Sequence, residues 1–161
     1  MFKNKVAVVT GAGGTLCSEI AINLAKEGAK VVLVGRTEEK LTKVYEKIAA
    51  NGGTALVYPC DVTDKDAIAK LAERVESTFG LCDFLINGAG GNNIKAMPTI
   101  TKFDSREMSG ELPEGERGLF DIDMDAFESV LNINTMGTVI PTMNRTRLIL
   151  LLLFFIGWGY L

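Results

Sequence analysis

The sequence predicts an α/β protein built on a doubly wound parallel sheet. Three observations carry that expectation. Short β-branched runs alternate with segments of helical period, the strand–helix unit recurs along the chain, and each run ends in a turn rich in glycine or aspartate. Alternation of this kind implies parallel strands joined by right-handed crossovers.

The elements follow in order. "KVAVVT", Lys5 to Thr10, is a β-branched run suited to a strand buried on both faces. The glycine loop "TGAGGT" then leads into a helix on which Leu16, Ile20 and Leu24 recur beside Ala21 and Ala25, with Gly28 as its stop. "AKVVLVGR" is the second strand; Leu41, Val44, Tyr45 and Ile48 mark one face of the second helix before the Gly52–Gly53 break. "TALVYPCDV" reads as the third strand, and Thr63 or Asp64 is placed to cap a helix carrying Ile68, Leu71, Val75 and Phe79. "CDFLINGAG" is the fourth strand. From 91 to 123 periodicity lapses into a long loop, the kind of segment that is usually functional or disordered. It returns with Phe127, Val130, Leu131 and Asn134, in a helix disturbed at Pro141.

At 161 residues the chain is the length of one ordinary domain. A net charge of −3 leaves no electrostatic footprint for nucleic acid or an anionic membrane, and the absence of histidine excludes imidazole catalysis and histidine metal sites. Cys17, Cys60 and Cys82 are widely spaced without a CxxC pair, so three buried, reduced thiols are expected, with no disulfide and no metal site. The start has no apolar stretch of signal-peptide length, making a cytoplasmic location the default.

In such a sheet ligands bind beyond the carboxyl ends of the strands, where the distinctive loops lie. Gly11, Gly13 and Gly14 let the backbone approach a pyrophosphate, and the following helix N-terminus offers free N–H groups and partial positive charge. Thr15 and Cys17 weaken the simple G-x-G-x-x-G match, but both are small and the Thr15 hydroxyl can donate to phosphate. Arg36 closes the second strand, where a cation pairs with a ribose 2′-phosphate and so points to NADP rather than NAD. Asp61 is placed either to accept from adenine or to cap the next helix.

"TGxxG" after the first strand, "CDVTD" after the third, "NGAG" after the fourth, and Asn134 three residues before Gly137 resemble the short-chain dehydrogenase/reductase family, over roughly Phe2 to Met143. "TGAGGTLC", "INGAGGNN", "GLFDID" and "NTMGTVIPT" resemble its sugar-acid branch of D-mannonate oxidoreductase or fructuronate reductase type. The resemblance implies a Rossmann-like fold that is incomplete, about four of the usual seven strands, with residues 1–143 forming the NAD(P)-binding part. It implies that Gly11, Gly13, Gly14 and Leu16 line the pyrophosphate, Asp61 and Val62 the adenine, and Asn87, Ala89 and Gly90 the ribose beside the nicotinamide. Asn134 corresponds to the family's active-site asparagine, and Asn92, Asn93 and Lys95 sit where a sugar acid would be met. NAD or NADP is the implied cofactor and a small sugar acid the implied partner, with homo-oligomers within the family's range.

Family members transfer the substrate proton through a tyrosine with a lysine four residues later, assisted by a serine. Here Tyr45 is followed by Ala49, Tyr58 by Val62, and Tyr160 by the chain end, so the pair is absent, as is the serine. Loss of a general acid costs about 10²–10⁴-fold in rate, so turnover by the chain alone is not expected. From Asn144 the sequence turns into "NRTRLILLLLFFIGWGYL", an apolar tail unlike the family and shorter than the ~20 residues that span a bilayer. A truncated or frame-disrupted form of a longer enzyme is the expectation; a non-catalytic nucleotide-binding module, tethered by the tail, is the alternative. The tail is expected to cover the sheet edge beside the fourth strand, or the exposed face of the last helix.

Overall fold

The computed structural model describes residues 2–144 and 152–154. β1 (Val6–Thr10), β2 (Lys30–Gly35), β3 (Thr54–Pro59), β4 (Phe84–Asn87) and β5 (Leu152–Phe154) form one sheet in the order β3-β2-β1-β4-β5. Every neighbouring pair is parallel, with Val8 level with Val32 and Leu85, and Val32 level with Leu56. Helices α1 (Thr15–Lys26), α2 (Glu38–Ala50), α3 (Lys65–Phe79) and α4 (Met124–Met143) alternate with the strands.

The period of two along each strand sorts side chains between two cores. Ala7, Val9, Val31 and Leu33 pack with Ala21, Leu41, Val44 and Ile48 from α1 and α2. Val6, Val8, Val32 and Val34 pack on the opposite face with Ile68, Leu71 and Val75 of α3, joined by Ile133 and Ile140 of α4. Strands buried on both faces are why the runs read as continuous Val, Ile and Leu rather than as alternating apolar and polar residues.

Two local readings change. The Leu16–Ile20–Leu24 stripe is not the buried face of α1: Cys17, Ala21, Ile22 and Ala25 are buried, and Leu16 is 59% exposed. Small side chains let the helix backbone lie close to the sheet, so Leu16 is displaced to solvent, while Ile22 is buried and Leu24 packs against the core from its margin. On α2, Tyr45 likewise stands outside the buried row of Leu41, Val44 and Ile48. Between the two candidate caps of α3 the structure selects Asp64, whose Oδ1 accepts from the N–H groups of Asp66 and Ala67 at 2.9 and 3.0 Å.

The segment 91–123 contains three single-turn 3₁₀ helices, Ile94–Ala96, Ser105–Met108 and Leu119–Asp121. α4 continues through Pro141, and Gly137 brings it against Val62, where a Cβ would stand 3.0 Å from Val62 Cγ2. The tail contributes β5, whose backbone pairs with β4 from Leu85 to Asn87. The rest of 145–161 lies outside the described residues, and with it the remainder of the apolar tail and Tyr160. No helix among the described residues is long and apolar enough to cross a membrane.

Candidate functional site

The chain runs outward from β1 through β2 to β3 and returns to place β4 on the other side of β1. Crossovers on opposite faces leave a crevice where the order reverses, at the carboxyl ends of β1 and β4. A cleft of about 260 Å³ opens there. One wall is Gly11, Gly13 and Gly14; the loops after β2 and β3 supply Gly35 to Thr37, Cys60, Asp61 and Val62; Gly88, Ala89 and Gly90 form the far end, with Ile133 of α4 above them.

Glycine is demanded by contacts at this cleft. Gly11 has φ +67°, and a Cβ there would overlap the Gly88 carbonyl, so the loops after β1 and β4 meet backbone to backbone. A Cβ on Gly88 would overlap Cys17 Sγ: the cysteine side chain fills the space a side chain at 88 would need. Cys17 is therefore tolerated within the glycine loop because residue 88 is glycine. A Cβ on Gly13 would meet Lys40 Cβ at 2.9 Å, so the bare loop also lets the α2 lysine cross it.

Thr10 joins the two loops. Its Oγ1 accepts from the N–H groups of Gly88 and Ala89 at 3.0 and 3.1 Å and donates to the Ile86 carbonyl at 3.4 Å. Asn134 fastens the next residues. Its Nδ2 donates to the carbonyls of Gly91 and Val130 at 2.7 and 2.8 Å, and its Oδ1 accepts from the Gly91 N–H at 3.3 Å. Gly90 lies under the same amide, where a Cβ would stand 2.6 Å from Oδ1.

The other end of the cleft is charged. Arg36 and Lys40 both line it, and α2 begins at Thr37, an N-cap whose hydroxyl makes no capping bond. Asp61 Oδ1 accepts from the Thr63 N–H and hydroxyl at 2.9 and 2.7 Å. The Thr63 N–H bond, opposed by partial burial and aided by the hydroxyl bond and the Arg36 charge, holds the Asp61 carboxyl below the usual range, so it is an anionic acceptor at neutral pH. Cys60 beside it is half-buried rather than buried, and burial, with Asp61 and Asp64 adding, pushes its thiol up to about 11.

The structure thus gathers Gly11, Gly13, Gly14, Arg36, Asp61, Val62, Ala89 and Gly90 at one cleft. Thr15 and Leu16 do not line it: they open the first turn of α1 with their side chains turned to solvent. Asn87 does not either; it is 1% exposed, and its Nδ2 donates to Thr142 Oγ1 at 3.0 Å. Asn92, Asn93 and Lys95 are exposed and lie outside the lining, Asn92 and Asn93 being turned to the local backbone, where their Oδ1 atoms accept from Asn93 and Lys95 N–H. Sequence reasoning missed Thr10, Thr37, Lys40, Cys60 and Gly88. For Lys40 no local signal existed, because Arg36 precedes the α2 N-cap and the two do not share a helix face. Thr10 and Gly88 lie within the TGxxG and NGAG motifs, but nothing local pairs them, because their contact spans 78 residues.

The sequence pattern of short chain dehydrogenases matches residues 5–150. An uncharacterized oxidoreductase of Haemophilus influenzae is 39% identical over 140 residues, 87% of this chain and 47% of that protein. The uncharacterized oxidoreductase UxuB of Bacillus subtilis is 40% identical over 138 residues, 86% of this chain and 47% of its own length. Among solved structures, a putative D-mannonate oxidoreductase from Haemophilus influenza with bound NAD superposes with TM-score 0.80 at 38% identity, covering 87% of this chain and 48% of that one. A metagenomic short-chain oxidoreductase in complex with NADP gives TM-score 0.65 at 31% identity, covering 87% of this chain and 54% of that one. The chain spans about half the length of the curated relatives it matches. With this sheet order, this glycine loop and this match, the chain belongs to the short-chain dehydrogenase/reductase family.

Proposed function

We propose that this chain is the nicotinamide-nucleotide-binding portion of an oxidoreductase acting on a sugar acid, with NADP preferred over NAD. The observation that carries the reading is the cleft itself. Its wall is three glycines without side chains, Asp61 is an ionised acceptor at one side, and Arg36, Thr37 and Lys40 collect donors at one end. These residues fit a dinucleotide. The Ala12 and Gly14 N–H groups are bonded to the Val34 and Gly11 carbonyls, so the Gly13 N–H and the backbone N–H groups of the α1 N-terminus would hold the diphosphate, Asp61 and Val62 would bound the adenine, and Ala89 and Gly90 would face the nicotinamide ribose.

When bound, the nucleotide supplies a hydride acceptor or donor. The chain's own residues bind and orient. Asn134 holds the Gly90–Gly91 backbone in place, and Thr10 ties that loop to β1. Neither described tyrosine, Tyr45 or Tyr58, lines the cleft, and no Tyr-x-x-x-Lys segment occurs in the sequence. Binding without turnover is the consequence. The sugar-acid class rests on the loop motifs and on the likeness to the mannonate oxidoreductase.

Arg36 and Lys40 favour NADP because a 2′-phosphate adds two negative charges where two cations and the free N–H groups of α2 converge. Calorimetric titration with NADPH and NADH tests the reading, alongside a fructuronate reduction assay. NADPH is expected to bind at least tenfold more tightly than NADH, and Arg36→Ala to remove roughly 10- to 100-fold of NADPH affinity while leaving NADH within about threefold, from the 1.5–3 kcal/mol of a charged hydrogen bond. Absence of binding by either nucleotide overturns the proposal.

A further inference from the structure

Between the nicotinamide end of the cleft and α4, residues 97–122 form a body with its own internal bonding. Thr99 and Arg117 exchange two hydrogen bonds, Arg117 N–H to Thr99 Oγ1 at 2.8 Å and Thr99 N–H to the Arg117 carbonyl at 2.9 Å. Glu107 joins the two later 3₁₀ turns: Oε1 accepts from the Asp104 N–H at 3.1 Å and Oε2 from the Leu119 N–H at 2.8 Å. That carboxylate is buried, the residue being 8% exposed, and it lies on Gly118, where a Cβ would stand 2.6 Å from Glu107 Cγ. At the base the Asp123 N–H donates to the Lys95 carbonyl at 3.1 Å, which brings the two ends of the segment together.

The clasp itself lies outside the cleft lining, but the chain on either side of it leads there. Gly90 is in its wall a few residues before the segment, and α4, which follows it, carries Ile133 to the same cleft. On the segment's outside, Phe103 and Phe120 are 71% and 65% exposed. A loop that ties its own turns together yet leaves aromatic side chains in water has apolar surface available to cover a ligand.

We propose that residues 97–122 are a pre-formed flap, held as one body by Glu107, that pivots on the Lys95–Asp123 clasp and covers the nicotinamide end of the cleft. Glu107 is a positioning residue here. Its carboxylate accepts one N–H from its own turn and one from Leu119, 12 residues on, which ties the two turns together, and removing it strands two N–H groups. Closure would exclude water from the reacting end of the cleft. The covering step rests on the nucleotide reading above; the one-body step does not.

The test is hydrogen exchange on the full chain, resolved to single amides, with Glu107→Ala and the conservative Glu107→Gln. In the unaltered protein the amides of Thr99, Asp104, Glu107 and Leu119 are expected to exchange at one common rate, faster than those of β1 and β2. Glu107→Ala should raise all four at least tenfold with the β1 and β2 amides unchanged, and Glu107→Gln should fall between. Four unrelated rates, or an Ala effect confined to Asp104 and Leu119, overturns the flap. Saturating NADPH should slow tryptic cleavage after Lys102, Arg106 and Arg117 about tenfold. Binding seen by calorimetry without that protection overturns the covering step. If no nucleotide binds, the preceding proposal and the covering step fall together, and hydrogen exchange decides the one-body step.

Discussion

At the scale of single residues, the cleft is governed by exchanges of size. Cys17 and Gly88 are one unit: the thiol occupies what would be the side-chain space of residue 88. Gly88→Ala alone should destabilise the fold by roughly 1–3 kcal/mol through overpacking. In Cys17→Ala the same change should cost much less, since only the Thr10 carbonyl, 3.0 Å from the added Cβ, remains tight. Chemical denaturation of the four proteins of that double-mutant cycle measures the coupling, expected at about 0.5–3 kcal/mol. Cys60 makes a different statement. It is half-buried where the other two are buried, yet its thiol is raised to about 11 by burial and by the Asp61 and Asp64 charges. Because the thiolate reacts, roughly one molecule in a thousand is reactive at pH 8. Labelling of the native protein by a thiol reagent should therefore rise about tenfold per pH unit through pH 9 and 10, where an ordinary thiol has levelled off; a plateau by pH 9 would contradict the environment described.

At the scale of elements, each strand–turn–helix unit was legible because its determinants are local. β-branched runs, the Gly28 and Gly52 stops and the Asp64 cap act within a few residues of where they are written. Asp64→Ala should lower stability by about 0.5–2 kcal/mol, read as a shift of the thermal midpoint, because two N–H groups at the α3 start lose their acceptor. The Leu16–Ile20–Leu24 stripe misled because periodicity identifies faces without saying how closely a helix approaches its sheet. Small residues at Cys17, Ala21 and Ala25 set that distance, and they outrank hydrophobic bulk. The 91–123 segment was illegible for a related reason. Its organisation rests on Glu107 reaching Leu119 and on Thr99 reaching Arg117, pairings with no period to reveal them.

At the scale of the whole molecule, β5 decides the sheet's edge. Without it β4 would present an unpaired row of N–H and C=O groups beside an apolar strand. Deletion of residues 148–161 should lower the thermal midpoint and promote self-association, measured by differential scanning calorimetry and light scattering; an unchanged midpoint and a monodisperse product would show that the edge needs no cover. The sequence by itself determined the alternation of strands and helices, the parallel sheet that follows from it, and the glycine and aspartate turns at the strand ends, because these depend on neighbours in the chain. Only the tertiary structure decided which turn residues share a cleft, that Lys40 joins Arg36 there, that Thr15, Leu16 and Asn87 face elsewhere, and that the tail pairs with β4. Those outcomes depend on how closely helices lie on the sheet and on contacts between residues far apart in sequence, which no local pattern records.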